Sequence, residues 1–281
     1  MIRDRGLGSA LWRVAIWVLA LFFILNLLAV IFAVVTNSFA TRWLGTWLPQ
    51  GFTTRWYFAA WQEFQLTEVL IVTFQIVFLV TALSGLIGIT TAYALARRDF
   101  PGKRLITLVF LLPMLVPPLT YGIPLATLLY QVGLGGGFWG VVIINLVPSI
   151  PFVVLVMVPF IEQIDPRVEA AARVFGARTG SLFLRILIPL LLPGMLAALL
   201  LVLVRTIAMF ELTFLVAGPT SQTLVVSLYY AVFASGVRAS QSIDAMAVVY
   251  MVTTLFWLIL ALRFVNPTQI VARAKQPNAA H

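Results

Sequence analysis

WGVVIINLVPSIPFVVLVMVPFI, residues 139–161, contains no charged side chain. About 20 predominantly apolar residues suffice for a helix to cross the hydrocarbon core of a bilayer, so this stretch alone predicts a transmembrane span. The same reading extends outward in both directions. Stretches 14–36, 67–96 and 105–131 precede it, and 187–217 and 243–264 follow it, giving six predicted spans. The fifth is longer than one crossing requires, which predicts tilt or an interfacial turn at its end. Polar segments 37–66, 97–104, 132–138, 162–186, 218–242 and the tail from 265 separate or flank the spans. None of them has the character of a soluble domain. Residues 1–281 are therefore expected to form one membrane domain, an all-α polytopic helical bundle.

Composition agrees. The 281 residues are 62% hydrophobic and 10% charged, with a mean hydropathy of +1.06, whereas soluble domains are about 45–50% apolar and about 25% charged. The sequence has no cysteine, which excludes disulfides, thiolate metal sites and cysteine nucleophiles. Its one histidine is His281, so histidine-based catalysis and His-rich metal sites are excluded too. A net charge of +9 suits nucleic acid in a soluble protein, but in a membrane protein excess Lys and Arg mark the cytoplasmic face. With the N-terminus inside, fourteen basic residues fall on the inner segments, including Arg3, Arg5, Arg97, Arg98, Arg173, Arg273 and Lys275. Only Arg42, Arg55 and Arg238 fall outside. Both termini are thus expected in the cytoplasm, with a lipid bilayer as partner and no nucleic acid. The first span exceeds the about 7–15-residue core of a signal peptide, so an uncleaved anchor is expected.

Segment 37–66 carries Trp43, Trp47, Trp56, Tyr57 and Trp61. Such aromatics suit the membrane–water boundary, or a docking surface for an extracytoplasmic partner; the two readings are compatible. There is no G-x-x-x-x-G-K-[ST], no H-E-x-x-H and no G-x-S-x-G. Any energised work must draw its energy through another subunit.

The most informative polar segment is EQIDPRVEAAARVFGARTGSLFLRI, residues 162–186. Asp165-Pro166 predicts a helix start, with the aspartate as N-cap and proline at the first helical position. Val168, Ala171, Ala172 and Phe175 recur at helical spacing as one apolar stripe, while Arg167, Arg173 and Arg178 occupy other faces. Gly176 permits a sharp turn, after which a second short helix runs through Leu182 and Phe183 toward Ile186, Pro189 and the fifth span. The residues by themselves fit an interfacial connector as well as a partner-docking element.

A family resemblance bears on that choice. Ala170-Ala171-Ala172, Gly176 after three residues, Ile186 after nine more, then Ile188-Pro189, is similar to the EAA-loop signature of type I ABC importer permeases. Ala170 stands where the family has glutamate, and Glu169, one residue earlier, resembles the first acid of the related D-P-x-x-E-E-A-A pattern. That departure bears on local salt bridges to the ATPase. Arg97-Arg98-Asp99-Phe100-Pro101-Gly102-Lys103 is similar to the family's R-x-x-F-x-G-[KR] loop, and Phe210-Glu211 resembles its acidic stretch in the fifth span. The resemblance covers about residues 64–265. It implies a six-helix permease of the bacterial cytoplasmic (inner) membrane, paired with a second permease, two ATP-binding subunits and an extracytoplasmic solute-binding protein. It also implies a non-enzymatic chain without a cofactor, ATP and Mg being expected in the partner ATPase. The residues it assigns to ATPase coupling are Glu169, Ala170, Ala171, Ala172, Phe175, Gly176, Ile186 and Pro189.

Solute pathways in transporters lie where helices are interrupted and polar groups face a cavity. Pro113, Pro117, Pro118 and Pro124 interrupt the third span around Tyr121, and Pro148 and Pro151 flank Ser149 near Asn145 in the fourth. Tyr121, Asn145, Ser149, Arg205 and Glu211 are the pathway candidates; the prolines fit helix kinks for packing equally well. Gly85 and Gly88 suit close helix approach. Arg205 and Glu211 would lie about 240° apart on one helix, so neither is expected to pair with the other along it. The competing class is a channel or receptor without an ATPase, with an intramembrane enzyme more distant for want of a catalytic constellation. Phe214-Leu215-Val216-Ala217-Gly218-Pro219 followed by Gln222-Thr223-Leu224 is similar to permeases of the polyamine-type branch. The sugar-type branch shares the loop pattern.

Overall fold

The computed structural model describes residues 7–43, 46–233 and 238–264; Arg3, Arg5, Arg273, Lys275 and His281 lie outside them. The described residues are helical except for connecting segments and one isolated antiparallel bridge, Ala40 to Phe52. Among the described residues, five helices are long and apolar enough to cross a membrane, and a sixth span results if one bent helix pair counts as a single crossing.

The chain divides into two compact units, residues 1–65 with 231–249, and 66–230 with 250–281. In the first, α1 (Leu7–Phe39) presents apolar side chains from Trp12 to Phe32 that are exposed, as a span facing lipid or another subunit requires. The bridge after it is sealed by Thr53 N–H donating to Phe39 C=O at 2.7 Å and Trp56 Nε1 donating to Ala40 C=O at 2.7 Å. Trp56 and Tyr57 belong to α2 (Arg55–Glu63), and the Tyr57 hydroxyl lies 2.9 Å from Ser38 Oγ. Trp47, by contrast, is 99% exposed. The aromatic segment thus splits into rings that close the bridge and rings left for the membrane boundary or a partner.

In the second unit, α3 (Leu66–Arg97), α6 (Phe138–Glu162) and α9 (Ile188–Ile207) pack into the main core. Ile89, Ala92, Val153, Met157, Ile161, Leu191, Ala198 and Val202 are buried between them. The predicted close approach at Gly88 is present: a Cβ there would sit 2.6 Å from Val153 Cβ. No larger residue fits without separating α3 from α6.

The third predicted span is two helices, α4 (Lys103–Leu115) and α5 (Pro118–Gln131), bent by 101°. A residue before proline is pushed out of the helical region, and here that happens twice in a row. Val116 precedes Pro117 and takes ψ 137°, and Pro117 precedes Pro118 and takes ψ 136°. Of the two readings the sequence left open, an interrupted span and a kink for packing, the interruption is the one observed.

The fifth span also differs from its predicted limits, 187–217. A short helix α8 follows α7 (Pro166–Val174), at Thr179–Leu182, and leads through a π-helical turn, Phe183–Leu187, directly into α9. Pro189 has no N–H for the Arg185 carbonyl and its ring would crowd it in a regular helix; the wider turn gives that ring room. The span then stops at Ile207, and α10 (Glu211–Val216) is a separate helix. Its redirection buries Met209, Leu212 and Val216 against Ala126, Leu129 and Ile144 of α5 and α6. Arg205 and Glu211 consequently lie on different helices, and the single-helix angle expected between them does not apply. The chain continues through α11 (Leu224–Phe233) and α12 (Ser240–Phe264).

Because the sequence is free of cysteine, single cysteines report topology without background. The charge bias predicts that Gln50→Cys and Thr220→Cys, both at exposed positions, react with an impermeant maleimide added outside intact cells. Asp99→Cys should react only after permeabilisation; the opposite pattern would invert the topology.

Candidate functional site

The segment 162–186 begins as its residues dictate. Asp165 Oδ1 accepts from Arg167 N–H at 2.9 Å, capping α7, and Pro166 occupies its first turn. At the other end, Gly176 takes φ +82°. Ala177 N–H donates to Ala172 C=O and Gly176 N–H to Arg173 C=O, each at 3.0 Å, which is a Schellman closure.

Between the two caps, α7 has two different faces. Val168, Ala171, Val174 and Phe175 are exposed, Phe175 at 90%. Ala172 turns the other way and packs on the α3–α6–α9 core. The single stripe expected from spacing is thus corrected: Val168, Ala171 and Phe175 form an outward apolar patch, and Ala172 belongs to the inner contact. Ala170, at the position of the family glutamate, is exposed beside the patch. Ile186 sits half-buried in the π-helical turn against the core, and Pro189 is exposed at the start of α9.

Glu169 faces inward and is only 7% exposed. Its Oε1 accepts from Arg97 Nε at 2.7 Å and its Oε2 from the Tyr93 hydroxyl at 2.7 Å. The same guanidinium reaches the Ile164 carbonyl, ahead of the α7 cap, at 2.6 Å. Arg97 and Glu169 side chains are 12% and 9% exposed, so this is a buried ion pair. Removing one member of such a pair typically costs ~3–5 kcal/mol, because the other charge is left unanswered. Tyr93 also sets its ring edge-on to Phe183 of the π-helical turn, centroids 5.7 Å apart.

The pathway candidates gather around the α9–α10 break. Asn145, 1% exposed, donates from Nδ2 to the Val141 carbonyl at 2.8 Å and to Thr213 Oγ1 of α10 at 3.0 Å. Its Oδ1 and the Tyr121 hydroxyl are buried polar atoms without a hydrogen-bond partner. Tyr121 packs against the buried cluster that includes Met209, Leu212 and Val216. Arg205 stacks over the Phe152 ring at 5.3 Å. Ser149 is buried but gives its hydroxyl to the Asn145 carbonyl at 2.7 Å, a bond within its own helix, which is the behaviour of a packing residue. Four of the five candidates, Tyr121, Asn145, Arg205 and Glu211, are thus brought to the break by α5, α6, α9 and α10.

Aromatic rings line the same region. Phe210 and Phe214 stack with centroids 5.1 Å apart, and Tyr229 lies 4.9 Å from Phe210 and 5.1 Å from Phe214. Tyr230 adds a fourth ring, 5.8 Å from Phe214. Glu211 and Phe214 are three residues apart on α10 and share a face.

Residues 84–271 match the family of binding-protein-dependent transport system inner membrane components. The chain belongs to that family. It is an ABC importer permease subunit, a membrane-spanning protein of the bacterial inner membrane whose ATPase is a separate subunit. The spermidine/putrescine transport system permease protein PotC of Escherichia coli (strain K12) is 28% identical over 246 residues, covering 87% of this chain and 89% of that protein. The molybdenum transport system permease protein ModB of Haemophilus influenzae (strain ATCC 51907 / DSM 11121 / KW20 / Rd) is 38% identical over 160 residues, covering 51% of this chain and 69% of that one. In fold, the chain is similar to one in a bacterial ABC transporter involved in the import of the acidic polysaccharide alginate, with TM-score 0.77 and 17% identity. That match covers 94% of this chain and 100% of the other.

For this permease the sequence reading missed three features: the clasp of Arg97 and Tyr93 on Glu169, the partnership of Thr213 with Asn145, and the four-ring cluster. Arg97 carried a signal, since it opens the R-x-x-F-x-G-[KR] loop; Tyr93 and Thr213 carried none. Gly176→Val tests the turn. A non-glycine residue in the left-handed region costs roughly 1–2 kcal/mol, and a β-branched one is a genuine outlier there. The variant should insert into membranes at normal levels yet lose most uptake, measured beside wild type in the assembled importer; full uptake would show that the Schellman turn is dispensable.

Proposed function

We propose that this permease forms a solute pathway at its interface with a second permease, takes solute from an extracytoplasmic binding protein, and is driven by two ATPase subunits through α7. Residues 1–281 act as one permease domain with both termini in the cytoplasm. The outward patch of Val168, Ala171 and Phe175 enters a groove of the ATPase as an amphipathic helix does. ATP and Mg are handled by that partner, since this chain carries no phosphate-binding loop. Val174, 84% exposed on the same helix, extends the docking surface.

The solute we propose is a small polyamine-like cation. The observation that carries this is Glu211 on α10 between Phe210 and Phe214, whose rings cluster with Tyr229 and Tyr230. Aromatic faces attract ammonium groups, and the attraction grows when the cation is desolvated; a carboxylate among them supplies the counter-charge. The Tyr121 hydroxyl and Asn145 Oδ1, both unpartnered within the chain, are free to accept hydrogen bonds from ammonium N–H groups. Similarity to PotC, a spermidine/putrescine permease by name, supports the same class.

A specific observation favours a second reading. Arg205 stands in the last turn of α9 at the same break, and a guanidinium suits an oxyanion; similarity to ModB supports that side. The two are separated by uptake of labelled spermidine and molybdate into vesicles carrying the full importer. Spermidine uptake is expected, and Glu211→Gln should lower it by about 10- to 100-fold, the value of about 1.5–3 kcal/mol carried by a hydrogen bond to a charged group. Molybdate uptake that survives Glu211→Gln and is lost in Arg205→Gln would replace the cation reading.

A further inference from the structure

We infer that Arg97 and Tyr93 are positioning residues that make α7 and α3 move as one body, so that a load applied to α7 is delivered to the α3 span. The inference rests on the proposed docking of the ATPase to the outer face of α7.

Three bonds define the link, and all are made by the inner face. Arg97 holds α7 at two places, the Glu169 carboxylate inside the helix at 2.7 Å and the Ile164 carbonyl just before it at 2.6 Å. Two anchor points on either side of the Asp165 cap resist both translation and rotation of the helix; one would act as a pivot. Tyr93, one turn earlier on α3, takes the second carboxylate oxygen at 2.7 Å. Arg97 and Tyr93 lie four residues apart and so stand one above the other on the same side of α3.

Apolar contact alone would not fix this geometry. Apolar attraction is non-directional, whereas a buried carboxylate cannot leave its donors without being stranded in a poorly solvating place. The pair therefore behaves as a latch with a defined register. Tyr93 carries it one step further, because its ring meets Phe183 at 84° in the π-helical turn that opens into α9. A single displacement of α7 is thus shared between α3 through Arg97 and α9 through Tyr93. Lysine would not replace Arg97, since one ammonium group does not present the planar fork that reaches two acceptors at once.

The division of labour on α7 separates this inference from the docking reading. Docking uses Phe175 and its exposed neighbours; the latch uses Glu169, which is buried. The experiment uses the assembled importer in proteoliposomes, with spermidine as the transported probe. It reads ATPase subunit retention, spermidine taken up per ATP hydrolysed, and the distance between spin labels at Arg98→Cys and Arg167→Cys, exposed positions immediately after α3 and on α7 that flank the latch. In the latch-intact protein that distance should be the same with and without ATP. Arg97→Gln should keep the ATPase subunit, change the label distance when ATP binds, and lower uptake per ATP by about tenfold, within the usual range of site-to-site couplings. Exchanging the charges, Arg97→Glu with Glu169→Arg, should restore most of both. An invariant label distance in Arg97→Gln, or loss of the ATPase subunit from it, overturns the latch. Phe175→Asp tests the docking reading separately: release of the ATPase subunit supports it, and retention with full uptake removes it whatever Arg97→Gln does. The label readout does not depend on which solute is carried.

Discussion

Hydrocarbon offers a polar group nothing to bond with, and that constraint orders the whole chain. Small hydroxyls meet it alone. Thr73, Ser149 and Thr206 each donate to the carbonyl four residues earlier on their own helix, at 2.6–2.8 Å. Other groups tie elements together: Asn145, which also bonds the Val141 carbonyl of its own helix, to Thr213, Leu224 N–H to Thr73 Oγ1 at 2.8 Å, and, in the polar segment after the fourth span, Glu169 to Arg97 and Tyr93. A third set is left over. The Tyr121 hydroxyl and Asn145 Oδ1 have no hydrogen-bond partner within the chain; in the proposed pathway a solute or a second subunit completes them. The hydroxyls of Thr81 and Thr223 are also unpaired, and nothing in the structure explains them.

The spans were legible because one solvent surrounds them: a long uncharged run has few alternatives to a buried helix. Local backbone chemistry was legible for the same kind of reason. The Asp165 cap and the Gly176 turn are decided within a few residues of themselves. What could not be read depends on distant partners. No proline or glycine lies between Arg205 and Glu211, so the α9–α10 break left no mark in the sequence; it exists because Met209, Leu212 and Val216 find a core to enter. The interruption at Pro117-Pro118 was visible, but its 101° bend was not, since proline forbids helix without specifying a new direction. Spacing placed Ala172 with Phe175, although one packs on the core and the other is exposed. Glu169 and Arg97, 72 residues apart, could not be paired from the sequence at all.

The substitution at the family glutamate position acquires a physical reading from the two faces of α7. Ala170 stands on the outer side, where, in the proposed docking, a glutamate would have offered a charge to the ATPase. Glu169, one residue earlier and about 100° around the helix, faces inward instead. In the proposed coupling, this permease meets its ATPase mainly by apolar contact through Phe175 and keeps its acid for holding α7 in place. Contact across the subunit boundary and rigidity within the subunit are then separate properties carried by opposite faces of one helix.

Helix geometry says how far a movement at α7 can travel. Residues Thr179–Ile207 form one apolar helical rod of 29 residues, about 43 Å long at 1.5 Å per residue. One end carries Phe183, against which Tyr93 packs; the other carries Arg205 and stops just before Glu211. A tilt of about 5° at the α7 end displaces the far end of such a rod by about 4 Å. Hydrogen bonds fail well within that distance. The far end also lies where the helix has already been interrupted, so α10 can remain on α5 and α6, held by Asn145 and by Gly136 N–H donating to the Val216 carbonyl at 2.9 Å, while α9 moves. A continuous helix through residues 187–217 would have carried Arg205 and Glu211 together. In the proposed coupling the break lets their separation change while α10 keeps its contacts with α5 and α6.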